Sequence, residues 1–275
     1  MNSPDVQDYE WGPVLHEGPK VRISRGIRRK DGVAIIFKQA SGTGSSTVAA
    51  ALRREALILQ HLGEDVDIRM IDGMPVLVRL DKGGNPLRDR LRNLAGFDIV
   101  DGLRIACSIC EELSRIHERG IIHKDINPGN ILWDETNGKA HIIDFGISTE
   151  LSSTAIPMAP PGTLEGTWAY LSPEQTGRTR FVIDRRTDFY SLGVTLYEIF
   201  TGKPPFESTD ISELVHLHLA VEPFPPDQVR RELPRMVSEI ILKLLEKSRK
   251  AVTSERKEFW QTWSAACVPS KKMAG

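Results

Sequence analysis

Two short strings of this chain combine residue types that could do chemistry together. They are His123-Lys124-Asp125-Ile126-Asn127-Pro128-Gly129-Asn130 and Asp144-Phe145-Gly146. Asp125 could take a proton from an attacking hydroxyl. Asn130 and Asp144 add hard oxygen ligands of the kind Mg²⁺ prefers. A base plus metal-binding oxygens is the set that phosphoryl transfer requires. Between Asn130 and Asp144 lie two apolar runs, Ile131-Leu132-Trp133 and His141-Ile142-Ile143, joined by the turn-like Glu135-Thr136-Asn137-Gly138-Lys139. A hairpin there would carry the chain back to its starting edge. Asp125, Asn130 and Asp144 are therefore predicted to converge.

The elements around them can be read from periodicity. Val21-Arg22-Ile23-Ser24-Arg25 alternates as a half-buried strand, and Val33-Ala34-Ile35-Ile36-Phe37-Lys38 reads as a second. Asp31-Gly32 between them is a hairpin turn signal. Residues 48–62 form an amphipathic helix with Val48, Leu52, Leu59 and Leu62 on its apolar side and Glu55 also on it. A strand follows over 75–80. The helix predicted over 101–119 repeats Leu103, Ala106, Ile109, Cys110, Leu113 and Ile116 at helical spacing, and Gly120 ends it. Thr187 to Phe200 is apolar nearly all round, as a helix through the middle of a domain should be, and Gly202 with Pro204-Pro205 stops it.

With those motifs in place the chain resembles the protein kinases. His123 to Asn130 is similar to the catalytic-loop pattern H-R-D-x-x-x-x-N with Lys124 in place of Arg, and D-F-G is intact at Asp144. The resemblance implies an α+β, bilobal fold with a small β-rich N-lobe and a larger, mainly helical C-lobe. It implies ATP and Mg²⁺ as cofactors, with Asp125 as base and Asn130 and Asp144 as metal ligands. Lys38 ends a run similar to the V-A-I-K strand and would reach the phosphates, braced by Glu55 of the following helix. Gly18 and Val21 fall where the phosphate-covering glycine loop and its valine would lie. Gly166-Thr167-Trp168-Ala169-Tyr170-Leu171-Ser172-Pro173-Glu174 resembles the end of an activation segment, with Thr167 as the residue that bonds the catalytic Asp and favours Ser/Thr specificity. Asp188 would accept hydrogen bonds from the catalytic-loop backbone.

The chain departs from the pattern in four places. Of the glycine loop only Gly18 is present, and Pro19 offers no N–H. Lys124 carries charge but no bidentate fork. Asn127 stands where Ser/Thr kinases commonly place a lysine that neutralises the transferring phosphate. From Ser248 onward the pattern breaks, and the arginine expected to pair with Glu174 has no clear counterpart beyond Arg249 or Arg256. The expected organisation is an N-terminal tail at 1–9, N-lobe at 10–80, hinge at 81–85, C-lobe at 86–248 and a divergent or shortened tail at 249–275. The wording of 170–179 and 184–195 is narrower than kinases in general. It resembles the N-terminal kinase module of bacterial and fungal hybrid signalling proteins, and so implies ATPase, GAF sensor and histidine-kinase domains downstream as partners.

Bulk properties exclude several other classes. The 275 residues carry a formal net charge of −1, with 40% hydrophobic and 27% charged residues, so no global field points to nucleic acid or a membrane surface. The basic group Arg22, Arg25, Arg28, Arg29 and Lys30 lacks interleaved aromatics for stacking bases. No apolar run approaches the ~20 residues needed to cross a bilayer. No signal peptide is visible, and three cysteines are too few for a disulfide framework, which together predict a cytoplasmic protein. Cys107 and Cys110 are assigned to helix packing, and His216 and His218 to a helix face. The leading expectation is an ATP-dependent kinase acting on Ser/Thr hydroxyls of a protein substrate. Two others stay open: a pseudokinase that binds nucleotide with little transfer, and a small-molecule phosphotransferase, which Asp125-x-Asn127-Pro128-Gly129-Asn130 also resembles.

Overall fold

The computed structural model describes residues 8–41, 45–71, 73–92, 97–151 and 167–247. Of the residues singled out above, Gly166, Ser248, Arg249 and Arg256 lie outside the described residues. The chain forms two compact units: residues up to Gly83 together with Asp144–Ser148, and Gly84–Ile143 together with Thr149 onward.

The first unit is an antiparallel sheet with one helix. Its strands are β1 (Tyr9–Glu17), β2 (Val21–Arg28), β3 (Val33–Ala40), β4 (Val66–Ile71) and β5 (Met74–Leu80), in spatial order β1-β2-β3-β5-β4. Helix α1 (Ser45–His61) packs on β3, β4 and β5. Side chains alternate along a strand, so β3 sends Ile35 and Phe37 to one face and Ile36 and Lys38 to the other. Ile35 and Phe37 join Tyr9, Ile71, Val76 and Val78 in a buried cluster, with Trp11 stacked on Phe37 at 3.8 Å between ring centroids. Gly26 makes room for that ring, since a Cβ there would lie 2.5 Å from Phe37 Cε2.

Strand β1 has no counterpart in the periodicity reading, because Gly12-Pro13 interrupts it. The register slips between Trp11 and Val14 and again before His16. A proline survives here because β1 is an edge strand. Strand β4 was also hidden, since Val66-Asp67-Ile68-Arg69 is short and heavily charged. The Asp31-Gly32 turn joins β2 to β3 as expected, with Gly32 at φ +71° and its N–H donating to the Arg28 carbonyl.

The second unit is mainly helical. It contains β6 (Asn85–Pro86), α2 (Leu87–Leu91), α3 (Ile99–Glu118), β7 (Ile121–Ile122), β8 (Ile131–Asp134), β9 (Lys139–Ile142), β10 (Thr149–Glu150), α4 (Arg185–Thr201), α5 (Ile211–Ala220), α6 (Pro226–Val229) and α7 (Arg235–Leu244). Asp98 caps α3 by accepting from the Val100 N–H, and Ile105, Ile109, Cys110, Leu113 and Ile116 form its buried stripe. Helix α4 starts at the cap Asp184 and is buried on every side from Thr187 to Tyr197. It ends at Gly202 in the left-handed conformation. His218 of α5 is a core residue: its Nδ1 lies 2.9 Å from the Tyr190 hydroxyl, and burial pushes its pKa down to about 4.

Candidate active site

Each unit assembles part of the residue set. In the first unit, Lys38 is 8% exposed and Glu55 2%. The helix delivers Glu55 because Leu52, Ala56 and Leu59, its neighbours on the buried side, are all but inaccessible. Lys38 Nζ lies 2.8 Å from Glu55 Oε2 and 2.7 Å from Asp144 Oδ1. Burial alone would lower the lysine's pKa, but the two carboxylates more than offset it and the pKa moves up. The ammonium is therefore charged at any ordinary pH, with its position fixed on both sides.

The D-F-G segment has a local frame of its own. Asp144 is left-handed at φ +64°, a conformation uncommon outside glycine. Its Oδ1 accepts from the Gly146 N–H at 3.2 Å, while Arg54 Nη2 donates to the Gly146 carbonyl at 3.0 Å. Phe145 is buried. Gly18 opens the turn between β1 and β2, where its N–H donates to the Val21 carbonyl at 2.9 Å. Val21 begins β2 opposite Ala40 and is half-buried.

In the second unit, one carboxylate holds the catalytic loop. Asp188, on the first turn of α4, is fully buried. It accepts from the His123 N–H (2.9 Å), the Lys124 N–H (2.7 Å) and His117 Nε2 (2.7 Å). Those bonds hold Lys124 at φ +68°, a conformation that needs outside support in a lysine. The loop is fixed further by Gln175 Nε2 on the Lys124 carbonyl at 2.7 Å. His123 is buried, with Nε2 3.1 Å from the Ile143 carbonyl and Nδ1 accepting from the Asp125 N–H.

The Asp125 carboxylate accepts three N–H groups: Asn127 Nδ2 at 2.9 Å and the Thr167 main-chain N–H at 3.2 Å on Oδ1, and Asn130 Nδ2 at 2.8 Å on Oδ2. Thr167 thus reaches Asp125 through its backbone N–H. The β8–β9 hairpin forms in the expected place, pairing Ile131 with Ile142, and the Ile143 N–H donates to the Asn130 carbonyl at 2.9 Å.

The donor chemistry fits a hard divalent cation. Within the second unit Asn130 spends its amide nitrogen on Asp125, which leaves its carbonyl oxygen as a hard donor, and within the first unit Asp144 offers a carboxylate of the same hard type. Among the described residues no cluster of three or more His, Cys, Asp or Glu could hold a metal by itself. Sequence reasoning missed Arg88, whose Nη2 donates to Asn127 Oδ1 at 3.0 Å. An arginine in the charged string Leu87-Arg88-Asp89-Arg90-Leu91 looks like an ordinary surface residue.

Comparison with known proteins agrees with this geometry. The family model described as protein kinase domain matches residues 9–264. A probable serine/threonine-protein kinase PknB of Bifidobacterium longum is 30% identical over 95% of this chain and 40% of its own length. The PknB proteins of Mycolicibacterium smegmatis and Mycobacterium leprae are 30% and 31% identical over 87% and 89% of this chain. The chain spans about two fifths of the length of these relatives.

Proposed function

The chain belongs to the protein kinase domain family, and from that premise we propose that it transfers the γ-phosphate of Mg-ATP to serine or threonine hydroxyls of a protein substrate. The observation that carries the proposal is Lys38, a buried ammonium fixed between Glu55 and Asp144. A cation in that setting can hold an anionic ligand at little further cost in ordering. Lys38, braced by Glu55, positions the nucleotide phosphates. Asn130 and Asp144 hold the metal, which when bound supplies charge neutralisation at the phosphates. Asp125, oriented by three N–H donors, aligns the substrate hydroxyl and accepts its proton. Thr167 helps fix that carboxylate, and Gly18 with Val21 covers the nucleotide.

The finer likeness, to the kinase module of hybrid signalling proteins, is part of the same proposal. It rests on the wording of residues 170–179 and 184–195, and it assigns ATPase, sensor and histidine-kinase domains as partners; the cytoplasmic setting proposed with it rests separately on the low cysteine count. Among the described residues no helix is long and apolar enough to cross a membrane.

The test is intact-mass spectrometry after incubation with Mg-ATP and a generic protein substrate, comparing the parent chain with Asp125→Asn and Asp144→Asn. Added mass on chain or substrate only with the parent is expected. Equal incorporation by the Asp125→Asn variant would overturn the mechanism, and no incorporation by the parent would overturn the activity.

A further inference from the structure

Asn127 is the one residue of the catalytic loop that loses a positive charge relative to the common pattern, yet its side chain is in contact with a cation. Helix α2 is anchored by Leu87 and Leu91, both buried, and this fixes the base of Arg88 between them. From there Arg88 Nη2 donates to Asn127 Oδ1 at 3.0 Å, and the same oxygen accepts the Gly129 N–H at 2.9 Å. On the other side of the amide, Asn127 Nδ2 donates to the Asp125 carboxylate at 2.9 Å and to the Asp125 carbonyl at 3.1 Å. The amide is thus polarised in one sense. Turning it over would set its NH₂ against two donors and its oxygen against two acceptors.

Two neighbours are shaped around the guanidinium. A Cβ on Gly129 would stand 2.4 Å from Arg88 Nη2 and 2.5 Å from Cζ, so any other residue here would force the guanidinium to move from its present place. Glu198 of α4 accepts the Tyr170 hydroxyl. Burial pushes the Glu198 carboxyl up, and the Tyr170 bond and the Arg88 charge act against that shift. A chain of polar contacts therefore connects α2 to Asp125 by way of Arg88 and Asn127, and the Glu198 carboxyl of α4 lies within electrostatic reach of the guanidinium. An arginine serving only the surface would need neither the glycine nor the amide.

We propose that Arg88 is a positioning residue for phosphoryl transfer, acting through Asn127 to fix the orientation of the Asp125 carboxylate. This rests on the kinase reading above. The Asn127 amide replaces a charged side chain inside the loop, and the charge is supplied from α2. A misplaced reacting group commonly costs about 100-fold in rate.

The experiment measures kcat and the KM for ATP with a protein substrate for the parent, Arg88→Met, Arg88→Lys, Asn127→Ala, the Arg88→Met/Asn127→Ala double variant and Gly129→Ala, each at a temperature where it is folded. Arg88→Met keeps the alkyl stem without the donor. It is expected to lower kcat about 10- to 100-fold with the ATP KM within about twofold of the parent, and Arg88→Lys is expected to restore most of the loss. The double variant should be no slower than the slower single variant, because both substitutions break one chain of contacts. Gly129→Ala, which displaces the guanidinium without removing it, should match Arg88→Met. In nucleotide-free protein, the Asn127 side-chain amide protons should exchange faster in Arg88→Met than in the parent. Parental kcat in both Arg88→Met and Gly129→Ala, or strictly additive losses in the double variant, would overturn the proposal. A parent that transfers no phosphate would overturn the kinase reading, and the proposal would fall with it.

Discussion

Lys38 is a charged group in a place water barely reaches, and it is tolerable there only because two carboxylates meet it. Removing one member of a buried pair leaves the other uncompensated, typically at about 3–5 kcal/mol. Lys38→Met is therefore expected to lower stability by that order in a urea titration and to abolish transfer. Adding Glu55→Leu should recover part of the stability and none of the activity. Asp125 is a different case, since in Asn the amide oxygen keeps the two donors that meet Oδ1 and only the bond from Asn130 Nδ2 is given up. Asp125→Asn should reduce kcat by about 10²- to 10⁴-fold, the usual worth of a positioned base, with a melting temperature close to the parent's. The sequence made Lys38, Glu55 and Asp125 legible because motif and periodicity agree there. It left Arg88 hidden, because a hydrogen bond from α2 to the catalytic loop leaves no local pattern.

At the scale of elements, the catalytic loop is irregular apart from a short 3₁₀ turn at Pro128–Asn130, so its shape has to be imposed by its neighbours. Helix α4 does this with Asp188, and the likeness to kinases anticipated those backbone bonds. Asp188→Ala would leave the His123 and Lys124 N–H groups buried without their acceptor, at about 1–3 kcal/mol each. The expected outcome is a lower midpoint in denaturant, with faster amide exchange at His123 and Lys124 than in α3. Helices α1, α3 and α4 were legible because each carries a long periodic or wholly apolar run. Strands β1 and β4 were not. The first is broken by Gly12-Pro13 and the second is half charged, and both are strands because β2 and β5 offer them partners.

For the whole molecule, two desolvated groups set opposite limits to stability as pH changes. Glu174 is half-buried, and desolvation raises its pKa above 4.5 although Thr187 Oγ1 donates to it at 2.7 Å. A carboxyl raised in the fold contributes its stability below its unfolded value and loses it as pH climbs. His218, held down to about 4 from 6.5, contributes above pH 6.5 and loses that contribution as pH falls toward 4. A melting series from pH 4 to pH 8 should show Glu174→Gln gaining on the parent at pH 7.5 but not at pH 4. His218→Gln should flatten the decline between pH 6.5 and pH 4. Ligand linkage gives a further check: at 100 times its Kd, nucleotide adds about 2.7 kcal/mol to the folded state. Mg-ATP should therefore raise the melting temperature of the parent and do so much less for Lys38→Met.

The sequence by itself determined the fold class and pointed to the groups proposed to react. Both are carried by local signals: alternation, helical spacing, a glycine stop, and two short motifs in the right order. Only the tertiary structure decided how those groups are held. That Thr167 uses its backbone, that Lys38 meets Asp144 as well as Glu55, and that an arginine from α2 polarises Asn127 are all contacts between residues far apart in the chain. Such contacts depend on which faces pack together, and burial then makes each unpaired charge or N–H too costly to leave unmatched.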